Sequence, residues 1–297
     1  GAWVNYMMAP PLGSNRNKNT KGLGIPIDLT LAFHTDAGIT NNDSVIGTLG
    51  IYSTKIDTFF YPNGISKMAS RDLCDLIQSQ IVNDLRQKYD TNWIRRDMWD
   101  KAYTEAVRPN TPTMMLELLS HQNFMDVRFG KEPTFQFDVS RAIYKGILKF
   151  LSSFYEIPYI VQPLQPTHFQ AKLSNKNEID LEWKTQIDPL EESAIAKEFI
   201  VYKKENEGGF DNGTLVKNTQ YTFKNVKENT IYTFKVSAAN EGGESFATEE
   251  LSVCKASRSK GTIAIINAFD RLGGPAFFND EKSAGFLSQQ DAGVPYR

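Results

Sequence analysis

Residues 113–126 read Thr113-Met-Met-Leu-Glu117-Leu-Leu-Ser-His121-Gln-Asn-Phe-Met-Asp126. Met114 to Leu119 is a short apolar run of the kind that forms a buried strand. Glu117 sits in the middle of it, where a carboxylate is costly unless something pairs with it or uses it. A second stretch has the same design. Ile27-Asp-Leu-Thr-Leu-Ala-Phe33 predicts another buried strand, ending at His34-Thr35-Asp36-Ala37-Gly38. One imidazole and one carboxylate, each on an apolar strand, are parts of a metal-assisted hydrolase. The same pattern also suits a satisfied core histidine and a salt-bridged glutamate.

The chain has 297 residues, more than one average domain, so two are expected. Hydrophobic residues make up 40%, enough for sizeable cores. Thirty-three basic and 35 acidic residues give a formal net charge of -2. No basic block is present, which speaks against nucleic acid as a partner. No apolar run reaches membrane-spanning length, and no signal peptide is visible. The opening Ala2-Trp-Val-Asn-Tyr-Met-Met8 reads as the last turns of a helix, so the chain is expected to begin inside a larger protein. Cys74 and Cys254 lie far apart, which argues against a disulfide scaffold.

Working outward from the two strands, the pattern alternates. Strands are expected at about 27–33, 45–53 and 113–119. Leu73, Ile77, Ile81 and Leu85 recur every four residues and predict an amphipathic helix over 70–88. A shorter helix is expected at 97–104. Phe135, Val139, Ile143, Ile147 and Leu151 predict a last helix packed back on the sheet. This is an α/β domain over 1–160, a mixed sheet flanked by helices. Prolines from Pro158 to Pro166 mark a linker.

From residue 167 the period changes to two. Ile179, Leu181 and Trp183 alternate with polar residues, as do Tyr232, Phe234 and Val236, and glycine-rich turns separate the runs. An all-β sandwich over 164–257 follows. The stretch resembles a fibronectin type III module. Trp183 stands where that family has its core tryptophan, and Val226 through Tyr232-Thr-Phe-Lys-Val-Ser-Ala-Ala-Asn240-Glu-Gly-Gly matches its tyrosine-corner strand and the following turn. The resemblance implies spacing or display rather than chemistry. Residues 258–297 are expected to be a tail or the start of a third domain, with Thr262-Ile-Ala-Ile-Ile-Asn267 as its first strand.

Over about 25–155 the chain resembles the zinc-dependent N-acetylmuramoyl-L-alanine amidases of bacterial cell-wall turnover. Ala32-Phe33-His34-Thr35-Asp36-Ala37 stands where the family has a strand ending in Ser-Ile-His-Ala-Asn/Asp-Ala. Gly47-Thr-Leu-Gly-Ile-Tyr52 fits the segment that follows. Pro112-Thr-Met-Met-Leu-Glu117-Leu-Leu-Ser-His-Gln-Asn123 corresponds to the family's Pro-x-x-Leu-x-Glu-x-Gly-Phe-x-Ser-Asn, with Met115 at the leucine and without the Gly-Phe pair. The resemblance implies His34 as a zinc ligand and Glu117 as the catalytic carboxylate. Zinc would lower the pKa of bound water from about 15.7 to about 7. Glu117 would pass its proton to the leaving amine of a lactyl–L-alanine amide. Two further ligands, a histidine and a glutamate, precede the His34 position in that family. Here no histidine precedes His34, and the first glutamate is Glu105. A catalytic site needs three protein ligands, so this chain alone is expected to hold zinc weakly or not at all.

Asp36 and His121 are candidates to line the same cleft, though each also suits a purely shaping or surface role. Arg95 and Arg96 offer charge to an acidic peptide stem, or form a solvated pair. Expected partners are peptidoglycan or another cell-surface glycan, at an extracytoplasmic site. Three competitors remain open: a polysaccharide lyase of the xanthan type, a non-catalytic wall- or glycan-binding module, and a zinc peptidase of related fold. No Gly-x-Ser-x-Gly elbow or phosphate-binding loop occurs.

Overall fold

The computed structural model describes residues 1–8, 21–54, 58–174, 177–266, 277–279 and 284–286. They group into two compact units. One is Gly1–Ile157 together with a short C-terminal strand pair, β13 (Phe277–Asn279) and β14 (Ala284–Phe286); the other is Pro158–Phe269.

The first unit holds α1 (Ala2–Met8), β1 (Thr30–Asp36), β2 (Leu49–Tyr52), α2 (Met68–Lys88), β3 (Trp99–Asp100), α3 (Thr104–Val107), β4 (Thr113–Ser120), α4 (Phe124–Lys131) and α5 (Pro133–Tyr155). Its sheet has the order β1-β4-β2-β3. Strand β4 runs parallel to β1 and antiparallel to β2, and β2 is parallel to β3. The sheet is therefore mixed. One face meets α2 and α5: Leu73, Cys74, Ile77, Ile81 and Leu85 pack with Phe135, Val139, Ala142 and Phe150 over Met114, Leu116 and Leu118. The opposite face carries a smaller cluster of Ala32, Leu49, Ile51 and Met115.

Helix α2 realises the four-residue apolar spacing. Helix α5 opens with Pro133 in its first turn and closes on Glu156 in the left-handed region at φ 54. The two helices meet at close range. A Cβ on Gly146 would lie 2.6 Å from the Ile77 Cα. A buried ion pair joins them as well, with Lys145 Nζ 2.7 Å from Asp84 Oδ2 and both side chains under 5% exposed. Gln80 Nε2 donates to Asp84 Oδ1 at 2.8 Å, and Lys149 Nζ donates to Gln80 Oε1 at 2.6 Å. Earlier on α2, Cys74 is fully buried, and its desolvation pushes the thiol up to about 12.

Several sequence expectations are corrected. The first strand begins at Thr30 rather than Ile27 and includes His34 and Asp36. The carbonyls of Ile27 and Asp28 accept from Thr111 Oγ1 instead of joining a ladder. Nor is this strand buried: it is an edge strand among the described residues, and Phe33 is 57% exposed. No helix spans 97–104. Trp99 and Asp100 pair with Ile51 and Tyr52, and Asp100 accepts from the Thr54 N–H, so helix begins only at Thr104. Residues 262–266 form no strand, and Ile263, Ile265 and Ile266 are 87–89% exposed. Asn267 lies outside the described residues. Helix α4 had no sequence expectation behind it.

The second unit is a sandwich of β5 (Thr167–Leu173), β6 (Ile179–Lys184) and β9 (Gln220–Phe223) against β7 (Glu198–Glu205), β8 (Thr214–Val216), β10 (Ile231–Asn240), β11 (Gly243–Glu244) and β12 (Leu251–Cys254). Trp183 meets Phe199 edge-on at 5.4 Å in its core. Tyr232 is buried, and its hydroxyl accepts from the Lys227 N–H at 3.1 Å, closing the expected corner. The proline-marked stretch packs on this unit: Val161 is fully buried, its N–H donating to Ser193 Oγ and its carbonyl accepting from Asn240 Nδ2.

Two outcomes follow for the first unit. Gly146→Ala forces α2 and α5 apart and should cost about 1–3 kcal/mol in urea denaturation. Lys145→Met leaves a buried carboxylate and should cost about 3–5 kcal/mol, whereas Asp84→Leu/Lys145→Met together should recover most of the loss.

Candidate active site

The sheet register builds the site. In a parallel pair, residues in register point to the same face, and His34 stands directly beside Glu117. Leu49 flanks Glu117 on its other side. Ala32 and Met115, one step earlier on each strand, belong to the small apolar cluster, so His34 and Glu117 rise from the face opposite α2 and α5. Helix α3 lies against β4 and β2, with Ala106 buried. From it Glu105 Oε2 reaches His34 Nε2 at 3.1 Å, a pair in which both side chains are substantially exposed. Such an exposed pair contributes little to stability.

Glu117 has an unusual environment. Its Oε2 is buried and has no hydrogen-bond partner among the described residues. Loss of water raises its pKa above the ordinary carboxylate range, and the Asp36 charge adds to that; His34 and Arg96 oppose the rise, and Glu105 reinforces it. Ionisable groups from separate stretches of the chain thus act on one another here.

Asp36 is the opposite case. Burial alone would raise it, but Arg96 Nη1 donates to Asp36 Oδ2 at 2.5 Å, and the N–H groups of Ala37 and Gly38 donate to Oδ1 at 2.6 and 3.2 Å. These outweigh desolvation and hold the Asp36 carboxyl below its usual range. A register shift between His34 and Asp36 ends the regular pairing at that point. Two neighbouring acids are therefore pushed in opposite directions.

His121 is placed differently. Its Nδ1 lies 3.1 Å from Thr35 Oγ1, and its N–H donates to the Asp36 carbonyl. Thr35 alternates away from His34 along β1, and His121 is not among the groups acting on Glu117. The structure also separates the two arginines. Arg95 Nη2 bonds Asp75 on α2 at 2.5 Å, whereas Arg96 turns to Asp36. Sequence reasoning did not single out Glu105; an acid in a four-residue helix carries no pattern that could have marked it.

Among the described residues no group of three His, Cys, Asp or Glu side chains could hold a metal ion. The residues present do not amount to a three-ligand zinc site.

Behind the site, Asp126 fastens the turn after β4 to the loop after β1. Its Oδ2 accepts from the Ser120 N–H at 2.8 Å and its Oδ1 from the Ile46 N–H at 3.2 Å. Asp126 is fully buried, and desolvation, offset in part by those two N–H groups, pushes its pKa up to about 6.

A fibronectin type III family model matches residues 164–253, and that segment is a fibronectin type III domain. Receptor-type tyrosine-protein phosphatase F of Rattus norvegicus is 31% identical over 94 residues, covering 32% of this chain and 5% of that protein. The Bos taurus counterpart is 31% identical over 81 residues, covering 27% and 4%. The chain thus spans only a small part of these curated relatives. Among solved structures, the FN5 domain of Drosophila Lar has 16% identity and a TM-score of 0.26, covering 32% of this chain and 99% of that one. The FN1–FN3 domains of chicken CNTN1 have 17% identity and a TM-score of 0.30, covering 34% of each chain. No helix among the described residues is long and apolar enough to cross a membrane.

The Asp126 site predicts a pH dependence. Folded Asp126 holds its proton more tightly than an unfolded aspartate, so the folded state binds more protons between the two pKa values. Stability therefore falls as pH rises from about 3.8 to about 6, by ~3 kcal/mol from this group. The stability difference between the wild type and Asp126→Asn should shrink as pH rises across that window; a difference that does not change with pH would count against it.

Proposed function

We propose that the α/β unit carries an amide-hydrolase site of the N-acetylmuramoyl-L-alanine amidase type. Glu117 is its proton-transferring carboxylate, with the His34 imidazole beside it. The observation that carries this is the register pairing of His34 with Glu117, beside a buried carboxylate oxygen that has no hydrogen-bond partner among the described residues. A carboxyl group with a raised pKa and one uncommitted oxygen can take a proton from an attacking water and return it to the leaving amine. Burial, and after it the charge of the neighbouring Asp36, keep that pKa high. Zinc belongs to this reading through the family resemblance. This chain would contribute His34 to it and hold the ion weakly by itself.

Peptidoglycan is the substrate this reading implies, at an extracytoplasmic site. The fibronectin type III domain at 164–253 fits a spacer or display role there.

The test is turnover of peptidoglycan sacculi at saturating zinc, read as newly released L-alanine amino termini. Glu117→Gln should lower the rate by about 10²–10⁴-fold with the unfolding midpoint retained. Sacculi that bind without release would favour the non-catalytic wall-binding module. With a uronate-containing polysaccharide such as xanthan in place of sacculi, release of an ultraviolet-absorbing unsaturated uronate would favour the lyase.

A further inference from the structure

We infer that Arg96, braced by Trp99, is the receptor for a carboxylate on the substrate, namely the acidic peptide stem of a muropeptide. The inference rests on the hydrolase reading of the same site.

Of the two adjacent arginines, only Arg96 faces the site. Arg95 is tied to Asp75 and Ser79 on α2. Arg96 is fixed before any ligand arrives. Its N–H donates to the Thr48 carbonyl at 3.1 Å. Its own carbonyl accepts from Gln78 Nε2 at 2.8 Å, and the same amide group donates to the Thr48 carbonyl at 2.7 Å. Gln78 is fully buried, and these bonds hold the Arg96 backbone in place. The guanidinium lies 5.8 Å from the centre of the Trp99 ring. Trp99 is in register with Ile51, which belongs to the same-face cluster as Met115, so the indole shares the sheet face of Glu117 and is 39% exposed. Stacking on an aromatic ring holds a guanidinium flat.

The donor count leaves room for a ligand. A guanidinium has five N–H donors in a planar fork. Arg96 uses Nη1 for Asp36, and among the described residues no other side-chain acceptor stands within hydrogen-bond reach of it. Its side chain keeps 21% exposure. The remaining edge can meet a carboxylate with two parallel N–H···O bonds.

The charges around it make such a receptor necessary for an acidic substrate. Asp36, Glu105 and Glu117 are all carboxyl groups, and they would repel a peptide stem ending in carboxylates. Arg96 and His34 are the groups that act on Glu117 with the opposite sign. Bound there, the stem carboxylate would lie on the same sheet face as the Glu117 carboxyl, on the side toward β3.

The test is calorimetric binding to the Glu117→Gln protein, which removes turnover from the readout. Two probes are compared: a muropeptide with a free stem carboxylate, and the same molecule with that carboxylate amidated. The acid should bind roughly ten- to hundredfold more tightly than the amide. Arg96→Lys, which keeps the charge but not the fork, should lose most of that preference, and Trp99→Ala should weaken it. Equal binding of acid and amide, or an undiminished preference in Arg96→Lys, overturns the inference. Because both probes meet the same protein, their comparison decides the question even if an arginine variant folds poorly. Turnover by the wild type without an acid preference sinks this subsite alone. An acid preference without turnover leaves the subsite standing and sinks the hydrolase reading.

Discussion

Strand β4 is hydrogen-bonded on both sides at once, to β1 in parallel and to β2 in antiparallel fashion. Everything else in the α/β unit is arranged around that double pairing. Its even-numbered side chains, Met114, Leu116 and Leu118, bury into the layer made by α2 and α5. Met115 and Glu117 look the other way. The period of two forces the acid onto the face that α2 and α5 do not cover. A shift of one residue would send Glu117 into the main core and Leu116 onto the site face. The apolar packing that fixes the register therefore fixes the position of the carboxyl group.

The same pairing explains why one end of the sheet face collects charge. His34 arrives with β1, Glu105 with α3, and Arg96 with the segment leading into β3. Arg96 bonds Asp36, while Glu117 Oε2 is buried with no hydrogen-bond partner among the described residues. That division sets one carboxyl group low and the other high. The buried Asp126 sits just behind, joining the turn after β4 to the loop that leaves Asp36. The charged cluster and the loop anchor thus share one small region.

Much of this was legible in the sequence where periodicity was strong. The four-residue spacing of Leu73, Ile77, Ile81 and Leu85 located α2, and the alternation around Trp183 and Tyr232 located the sandwich. The apolar run around Glu117 located β4. Legibility failed where long-range contacts decide. Trp99 and Asp100 have no strand pattern of their own; they are extended because the edge of β2 offers them partners. Residues 27–29 look like strand, yet the carbonyls of Ile27 and Asp28 are taken by Thr111. Thr262 to Ile266 has strong β propensity and no partner strand among the described residues, and propensity alone does not make a strand. In the site, His34 and Glu117 were marked by being polar on apolar strands. Glu105 and Trp99 were not marked, because only the fold brings them near.

The deep placement of Cys74 has a practical consequence. With its thiol pushed up to about 12 and no exposure, it offers almost no thiolate at neutral pH, whereas Cys254 is exposed on the other unit. An alkylating reagent should therefore tag the sandwich in the native protein and reach the α/β unit only when that unit opens. The two sulfur atoms make the molecule a self-reporting pair, one a handle for attachment and the other a clock for the opening of the α/β unit.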